Sequence, residues 1–352
     1  MNIKMWLKAL KVIPRISKEE WDQLDLVSRW LIATRAAVLV MTLTSALIAG
    51  LLAALAGAPG ESFFSWWRFV LVAVGLYFAH ATNNLVNDLT DYRKGVDKNN
   101  YYRTQYGPQP LESGLLTIKQ DFAYITATGA IAALAGLILI LTQKSSPHPG
   151  NPLLTLGFML AGVIFVLFYT WPLKYIALGE LTVFLVWGPL MVGGGFYAIT
   201  GLWSWAAAAA SLPYALATVT VIFGKHIDKR QEDKEKKIYT LPVLLGEKVS
   251  RTLVLVMMAL QYILPVLAVV LIPQFYSWIM LLVLVTPLLL KKNERETILY
   301  IFTHPRPVEM PPEAKEFWPL WYVAAAFIHT RIYGGVFVLA MILQTIFWNG
   351  IH

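Results

Sequence analysis

Runs of about 20 apolar residues recur from one end of the chain to the other, and no other feature constrains its fold so tightly. A soluble domain has one core in which to hide apolar side chains, whereas each such run is long enough to cross a bilayer as a helix. Nine segments are read, at about 31–56, 64–87, 118–142, 153–170, 179–200, 204–226, 248–271, 275–290 and 325–348. The eighth is short for a span and is expected to tilt or to bend near Pro287. Only 14% of the 352 residues are charged, against about 25% in soluble domains. Many of the 13 Trp stand near the ends of the runs, as an interfacial belt requires. The expected fold class is all-α, a polytopic membrane protein with a nine-transmembrane-helix bundle.

The connections alternate in character. Those at 57–63, 143–152, 201–203 and 272–274 contain a single basic residue, Lys144, whereas those at 88–117, 171–178, 227–247 and 291–324 are charged and rich in Lys and Arg. By the positive-inside rule the N-terminus and the charged loops are cytoplasmic and the tail WNGIH is outside, in the inner cell membrane. Residues 1–30 read as a cytoplasmic amphipathic lead-in rather than a cleavable signal peptide, and 31–352 as one domain. The net charge of +8 fits this orientation and contact with anionic membrane lipids better than nucleic-acid binding. The absence of cysteine excludes disulfides, thiolate nucleophiles and cysteine-ligated metals.

The second apolar segment runs into HATNNLVNDLTDYRKGVDKNN. On a continuing helix Asn84, Asp88 and Asp91 fall at i, i+4 and i+7 and share a face, with Asn87 beside them and Gly95 as a terminator before Asp97. A single Asp in such a place reads as part of a solvated loop. A stack of them leaving a membrane helix is costly and repulsive without a cation, and hard oxygen donors suit Mg²⁺ shared with phosphate oxygens.

The sixth segment ends in VIFGKHIDKRQEDKEKK. Asp228 and Glu232 are at i, i+4, as are Lys225 and Lys229, while Asp233 lies well round the helix from Asp228. The acids are expected to hold metal, and Lys225, Lys229 and His226 to contact phosphate. A solvated basic loop accounts well for Lys234 to Lys237, less well for Asp228, which follows directly on an apolar helix. Two acidic segments at equivalent membrane ends point to a metal–diphosphate site, and their membrane setting to a lipophilic tail on the substrate. The chemistry that follows is ionisation of an allylic diphosphate, with aromatic side chains shielding the cation.

These residues resemble the UbiA superfamily of intramembrane prenyltransferases over about 30–270. NLVNDLTDYRKGVD is similar to its first Asp-rich motif, Arg103–Thr104 followed by PLESG to its Arg-Thr and Pro-Leu-x-Ser-Gly loop, and YTWPLKYIALGE to its Tyr-Pro-Lys loop. FLVWGPLMVGGGFYAITG resembles the fifth helix of the menaquinone-pathway branch, and TLPVLLG also fits. The resemblance implies a nine-helix bundle, Mg²⁺, a prenyl diphosphate donor, catalytic Asp88, Asp91, Asp228, Tyr169 and Lys174, and substrate contacts from Asn84, Asn87, Arg103, Lys225, His226 and Lys229. The metal set is Asn84, Asp88, Asp91, Asp228, Glu232 and Asp233.

The second motif departs from the family. Aligned on Thr240, Asp233 takes the place of its second Asp, but Lys229 stands at the first Asp, Asp228 at an Arg, His226 at an Asn and Lys237 at a Gly. A one-residue shift would let Asp228 serve as the ligand, facing the first cluster across the cavity. Gln109 stands where an Arg is common. Between 291 and 331, His304, Arg306, His329 and Arg331 read as a basic interfacial loop in preference to a cover over the site mouth.

Three functions compete. The first is prenyl transfer to an aromatic, quinone-precursor or other lipophilic acceptor. The second is a UbiA-type terpene cyclase using the same diphosphate site without an acceptor. The third, a transporter or lipid-binding protein, is disfavoured by the clustered aspartates and by the lack of an evident inverted repeat.

Overall fold

The computed structural model describes residues 2–57, 63–96, 98, 107–311 and 318–347. Helices make up nearly all of it: α1 (Ile3–Lys11), α2 (Lys18–Asp22), α3 (Leu26–Ala33), α4 (Ala36–Leu55), α5 (Trp66–Arg93), α6 (Ile118–Leu141), α7 (Pro152–Phe168), α8 (Gly179–Thr200), α9 (Trp205–Ala210), α10 (Leu212–Asp228), α11 (Arg230–Glu235), α12 (Leu241–Leu271), α13 (Trp278–Leu289), α14 (Lys292–Thr303) and α15 (Trp321–Phe347). Among the described residues the only β pairing is an isolated bridge between Ile176 and Tyr239.

Among the described residues six helices, α4, α5, α6, α8, α12 and α15, are long and apolar enough to cross a membrane. The other apolar segments are helical too but fall short: α7 and α13 are shorter, and the 204–226 segment is broken at Ser211 into α9 and α10. The nine-span expectation thus rests on three segments that do not reach full length. The eighth is irregular, beginning as a 3₁₀ helix over Trp278–Val285 before Thr286–Leu289 turns α-helical.

The lead-in packs onto the bundle. Asp25 caps α3, accepting from the Val27 and Ser28 amides, and also takes the Asn2 amide and the Trp6 indole N–H at 3.0 Å each. Trp21 is buried in a cluster with Leu31, Leu85 and Leu115. α3 and α4 are separated by Arg35, whose left-handed backbone (φ 55°) turns the chain and leaves the Thr34 carbonyl outside the helical ladder.

Two features shape the interior. α8 widens into an i→i+5 turn over Val186–Gly193, where Pro189 has no N–H to donate and Gly188 leaves helical geometry. Ser45 of α4 donates to the Trp187 carbonyl there at 2.9 Å, tying the break to its neighbour. Second, α10 lies against α15 almost backbone to backbone: a Cβ at Gly224 would stand 2.8 Å from the Tyr322 carbonyl. At the end of the bundle opposite the acidic segments, Arg68 is fully buried and donates to the Ala198 carbonyl at 2.7 Å and the Gln143 side chain at 2.6 Å, joining α5, α8 and the α6–α7 connection.

Candidate active site

The last three turns of α5 carry Asn84, Asn87, Asp88 and Asp91, all buried, and the helix stops at Gly95, which has φ 67°. Each side chain is met from a different element. The Asn84 amide donates to the Thr34 carbonyl exposed by the α3–α4 break, at 2.7 Å. Asn87 accepts from the Thr170 hydroxyl at 3.1 Å. Asp88 accepts from Arg35 and from the Leu111 amide, at 3.3 Å each. Lys174, on the turn after α7, donates to Asp91 at 3.1 Å. Two buried carboxylates are thus balanced by two buried cations, as low-dielectric surroundings require.

Two residues here escaped the sequence reading. Arg35 bridges Asp88 and Gln109, donating to the Gln109 side-chain oxygen at 2.9 Å. It puts a guanidinium beside the position where the loop has Gln109 in place of an Arg. Asp121, on α6, is fully buried within electrostatic reach of Asp88, and neither of its carboxylate oxygens has a hydrogen-bond partner. Its place in the first turn after the Thr117 cap reads from sequence as an ordinary helix-dipole acid. In the fold it adds a third carboxyl group near a site that already holds two.

The second charged segment is arranged differently. Asp228 does not face Asn84 and Asp88. Its carboxylate points to the start of α15, accepting from the Tyr322 and Val323 amides at 3.0 Å each, with Arg306 3.9 Å away. That geometry departs from the expected catalytic and metal-ligand role. The close α10–α15 approach brings Asp228 to a helix N-terminus, whose free N–H groups suit a carboxylate. Lys229 and Asp233 form a buried pair at 2.6 Å. His226 Nδ1 pairs with Glu180 Oε1 at 2.6 Å, leaving His226 Nε2 and Glu180 Oε2 without partners. Glu232 lies toward Arg306, and burial pushes its carboxyl above the usual range. Arg103 and Asp97 lie outside the described residues.

The two segments nevertheless meet. Lys236 donates to the carbonyls of Val96 and Lys98 beyond α5. Tyr239 donates to the Tyr175 carbonyl at 3.3 Å, beside the turn that carries Lys174. Above this junction runs a cavity of about 820 Å³, within the usual range for a small-molecule site. Its polar end is lined by Asn84, Asn87, Arg35, Tyr169 and Lys225. Its shaft is apolar, with Phe158, Phe165, Trp187 and Phe327 among its walls, and Trp187 stands edge-on to His80 at 5.0 Å. No carboxylate lines it among the described residues. Of the 291–331 segment, Arg331 reaches the rim and donates to the Lys11 carbonyl at 3.1 Å, while His329 meets the Tyr262 hydroxyl at 2.7 Å.

Among the described residues no group of three or more His, Asp or Glu is placed to hold a metal by itself. The first cluster fits Mg²⁺ in another way. That ion commonly takes one or two carboxylates and completes its shell with water and substrate phosphates. The two oxygens of Asp121, buried within electrostatic reach of Asp88 and without hydrogen-bond partners, leave acceptor capacity there that a cation would use. The second segment fits less well: Asp228 accepts from two amides of α15 and the Lys229 ammonium already balances Asp233, although Asp233 Oδ2 and Glu232 Oε2 have no hydrogen-bond partner.

An apolar cavity with amides and cations at one end, next to buried carboxylates, thus lies inside a helical membrane bundle. The sequence pattern of the UbiA prenyltransferase family matches residues 46–295, and the chain belongs to that family. A UbiA prenyltransferase domain-containing protein 1 homolog of Drosophila melanogaster is 28% identical over 192 residues, covering 54% of this chain and 51% of that protein. The chain thus spans about half the length of the curated relatives it matches. The fold is that of a UbiA homolog from Aeropyrum pernix K1, with TM-score 0.60, 19% identity and coverage of 88% of this chain and 98% of the other. A UbiA homolog from Archaeoglobus fulgidus bound to Cd²⁺ superposes with TM-score 0.50 at 14% identity, covering 87% and 97%.

Proposed function

We propose that the protein is a Mg²⁺-dependent intramembrane prenyltransferase. The observation that carries this reading is that Asn84 and Asn87 line the polar end of an otherwise apolar, aromatic-walled cavity, with Asp88 and Asp91 buried on the same last turns of α5. Asp88 and Asp91, with Asn84, would hold the metal. When bound, it supplies charge that stabilises the departing diphosphate. Binding of Cd²⁺ by a UbiA homolog of similar fold supports a divalent cation in this one.

Arg35 and Lys174 hold the two aspartates in place and, from their positions, can turn toward phosphate oxygens. Lys225 adds a third cation at the cavity wall. The allylic C–O bond breaks with both electrons leaving on the diphosphate. The apolar shaft excludes water from the allylic cation, and the aromatic residues Trp187, Phe158 and Phe165 along its wall are candidates to stabilise it. A nucleophilic carbon of a lipophilic acceptor then forms the new C–C bond, and its proton is lost. Asp88 and Asp91 belong to the cytoplasmic side in this reading, so the diphosphate enters from the cytoplasm and the prenyl tail from the bilayer.

The test uses purified full-length protein in nanodiscs with prenyl diphosphates of several lengths, with and without aromatic acceptors. Diphosphate release that requires Mg²⁺ and is lost in Asp88→Asn and Asp91→Asn is the expected result, with a prenylated acceptor as product. Release without acceptor, giving a cyclic hydrocarbon, assigns cyclase chemistry to the same site. No release under any condition contradicts the reading.

A further inference from the structure

The two charged segments are not equivalent, and the difference centres on Lys229. Its ammonium is buried, and its one protein acceptor is Asp233 at 2.6 Å. An ammonium has three N–H groups, so two are left for another acceptor. A buried cation with donors to spare is a binding group waiting for an anion.

Its position gives the direction. Thr218, Ile222 and Lys225 form the stripe of α10 that lines the cavity, and Lys229 lies one turn further on. On α5, Asn84 and Asn87 line the same cavity, and Asp91 is the next turn of that stripe. Both stripes therefore continue past the polar end of the cavity toward the same junction. Lys174 connects them: it holds Asp91, and its turn leads into Glu180, which holds His226 three residues before Lys229.

Charge, rather than a lack of open oxygens, disfavours a metal beside Lys229: the ammonium already balances Asp233, while Asp233 Oδ2, Glu180 Oε2 and Glu232 Oε2 have no hydrogen-bond partner. Asp228 accepts from two amides of α15. Glu180 pairs with His226, Asp233 with Lys229, and Glu232 lies on the side of Arg306. We infer that the second segment binds no metal ion, and that Lys229, held by Asp233, contacts the substrate diphosphate directly and supplies there the positive charge that a metal would otherwise supply. This rests on the diphosphate reading of the site, and makes the site a hybrid, with metal at the first cluster and ammonium at the second.

The test counts metal ions and measures anion affinity on the full-length protein in detergent, using Mn²⁺ and inorganic diphosphate as probes. Electron paramagnetic resonance titration should give one diphosphate-dependent Mn²⁺ per chain. Lys229→Asp, which restores two acids four residues apart, should admit a second. Lys229→Gln should keep a single Mn²⁺ while weakening diphosphate binding about tenfold or more, the loss of one charge-assisted hydrogen bond. Lys229→Gln also guards against the aspartate variant failing to fold. Two Mn²⁺ in the unaltered protein would overturn the inference while leaving the prenyltransferase reading intact. So would diphosphate affinity unchanged in Lys229→Gln, which would make Lys229 only a partner for Asp233. No diphosphate-dependent Mn²⁺ at all would remove the diphosphate reading, and this inference with it.

Discussion

Asp228 grips the first turn of α15, its two carboxylate oxygens each accepting from one backbone amide, of Tyr322 and of Val323, at 3.0 Å. An acid at the end of a membrane helix, in a segment that resembles a catalytic motif, thus acts as a cap for a helix 94 residues further along the chain. Asp228→Ala should destabilise the protein by about 1–3 kcal/mol, because two buried N–H groups lose their acceptor. Thermal unfolding in detergent measures this. Turnover per folded molecule should fall far less than in Asp88→Asn, and equal loss in both variants would return Asp228 to the catalytic set.

Lys174 and Asp91 form a buried pair, and removing one partner leaves the other as an uncompensated charge. Lys174→Met should cost about 3–5 kcal/mol. Adding Asp91→Leu should recover most of that stability while leaving turnover abolished. A double variant no more stable than Lys174→Met would show that the pair is not what links the α7–α8 turn to α5.

Arg35 donates from one nitrogen, Nη2, to both Asp88 and Gln109, from a left-handed backbone position. Lys has a shorter reach and a strongly hydrated point charge, so its ammonium does not take the place of that Nη2 without moving the acceptors. Arg35→Lys should therefore weaken binding of the diphosphate substrate about tenfold, the loss of one hydrogen bond to a charged group. The measurement is KM for the prenyl diphosphate at saturating Mg²⁺, and an unchanged KM would confine Arg35 to a structural role.

Asp121 sits buried beside Asp88 with both oxygens unpartnered. Asp121→Asn removes like-charge repulsion, so the metal-free protein should unfold at a higher temperature. Mg²⁺ with diphosphate should then stabilise the variant less than the unaltered protein, since one source of excess negative charge is gone. A lower unfolding temperature without metal would show that the Asp121 charge is already compensated.

The spacing of Asn84, Asp88 and Asp91 was enough to put them on one face, because a helix continuing to Gly95 leaves no other arrangement. The all-α membrane class was legible for the same kind of reason: long apolar runs have few folded states. Arg35 was not legible. It lies 53 residues before Asp88, and its role depends on a helix break whose left-handed turn has no glycine to announce it. Asp228 was misread because helical periodicity says which residues share a face but not which neighbour that face meets. The neighbour is α15, admitted by Gly224, and no local pattern connects the two. The 153–170 and 204–226 segments read as full spans because composition alone does not reveal the shortness of α7 or the break at Ser211, whereas the eighth segment reads as short from its length and is irregular in the fold.

The central claim is that Asp88 and Asp91 hold a metal against the diphosphate of a lipophilic substrate. Its most direct test is Mg²⁺-dependent diphosphate release from a prenyl diphosphate by the unaltered protein, set against Asp88→Asn and Asp91→Asn of equal thermal stability. Release that vanishes with chelator and falls at least about a thousandfold in both variants, about 4 kcal/mol of lost transition-state stabilisation, is the predicted result. Release at near-normal rates in both folded variants, or without any divalent cation, would contradict it.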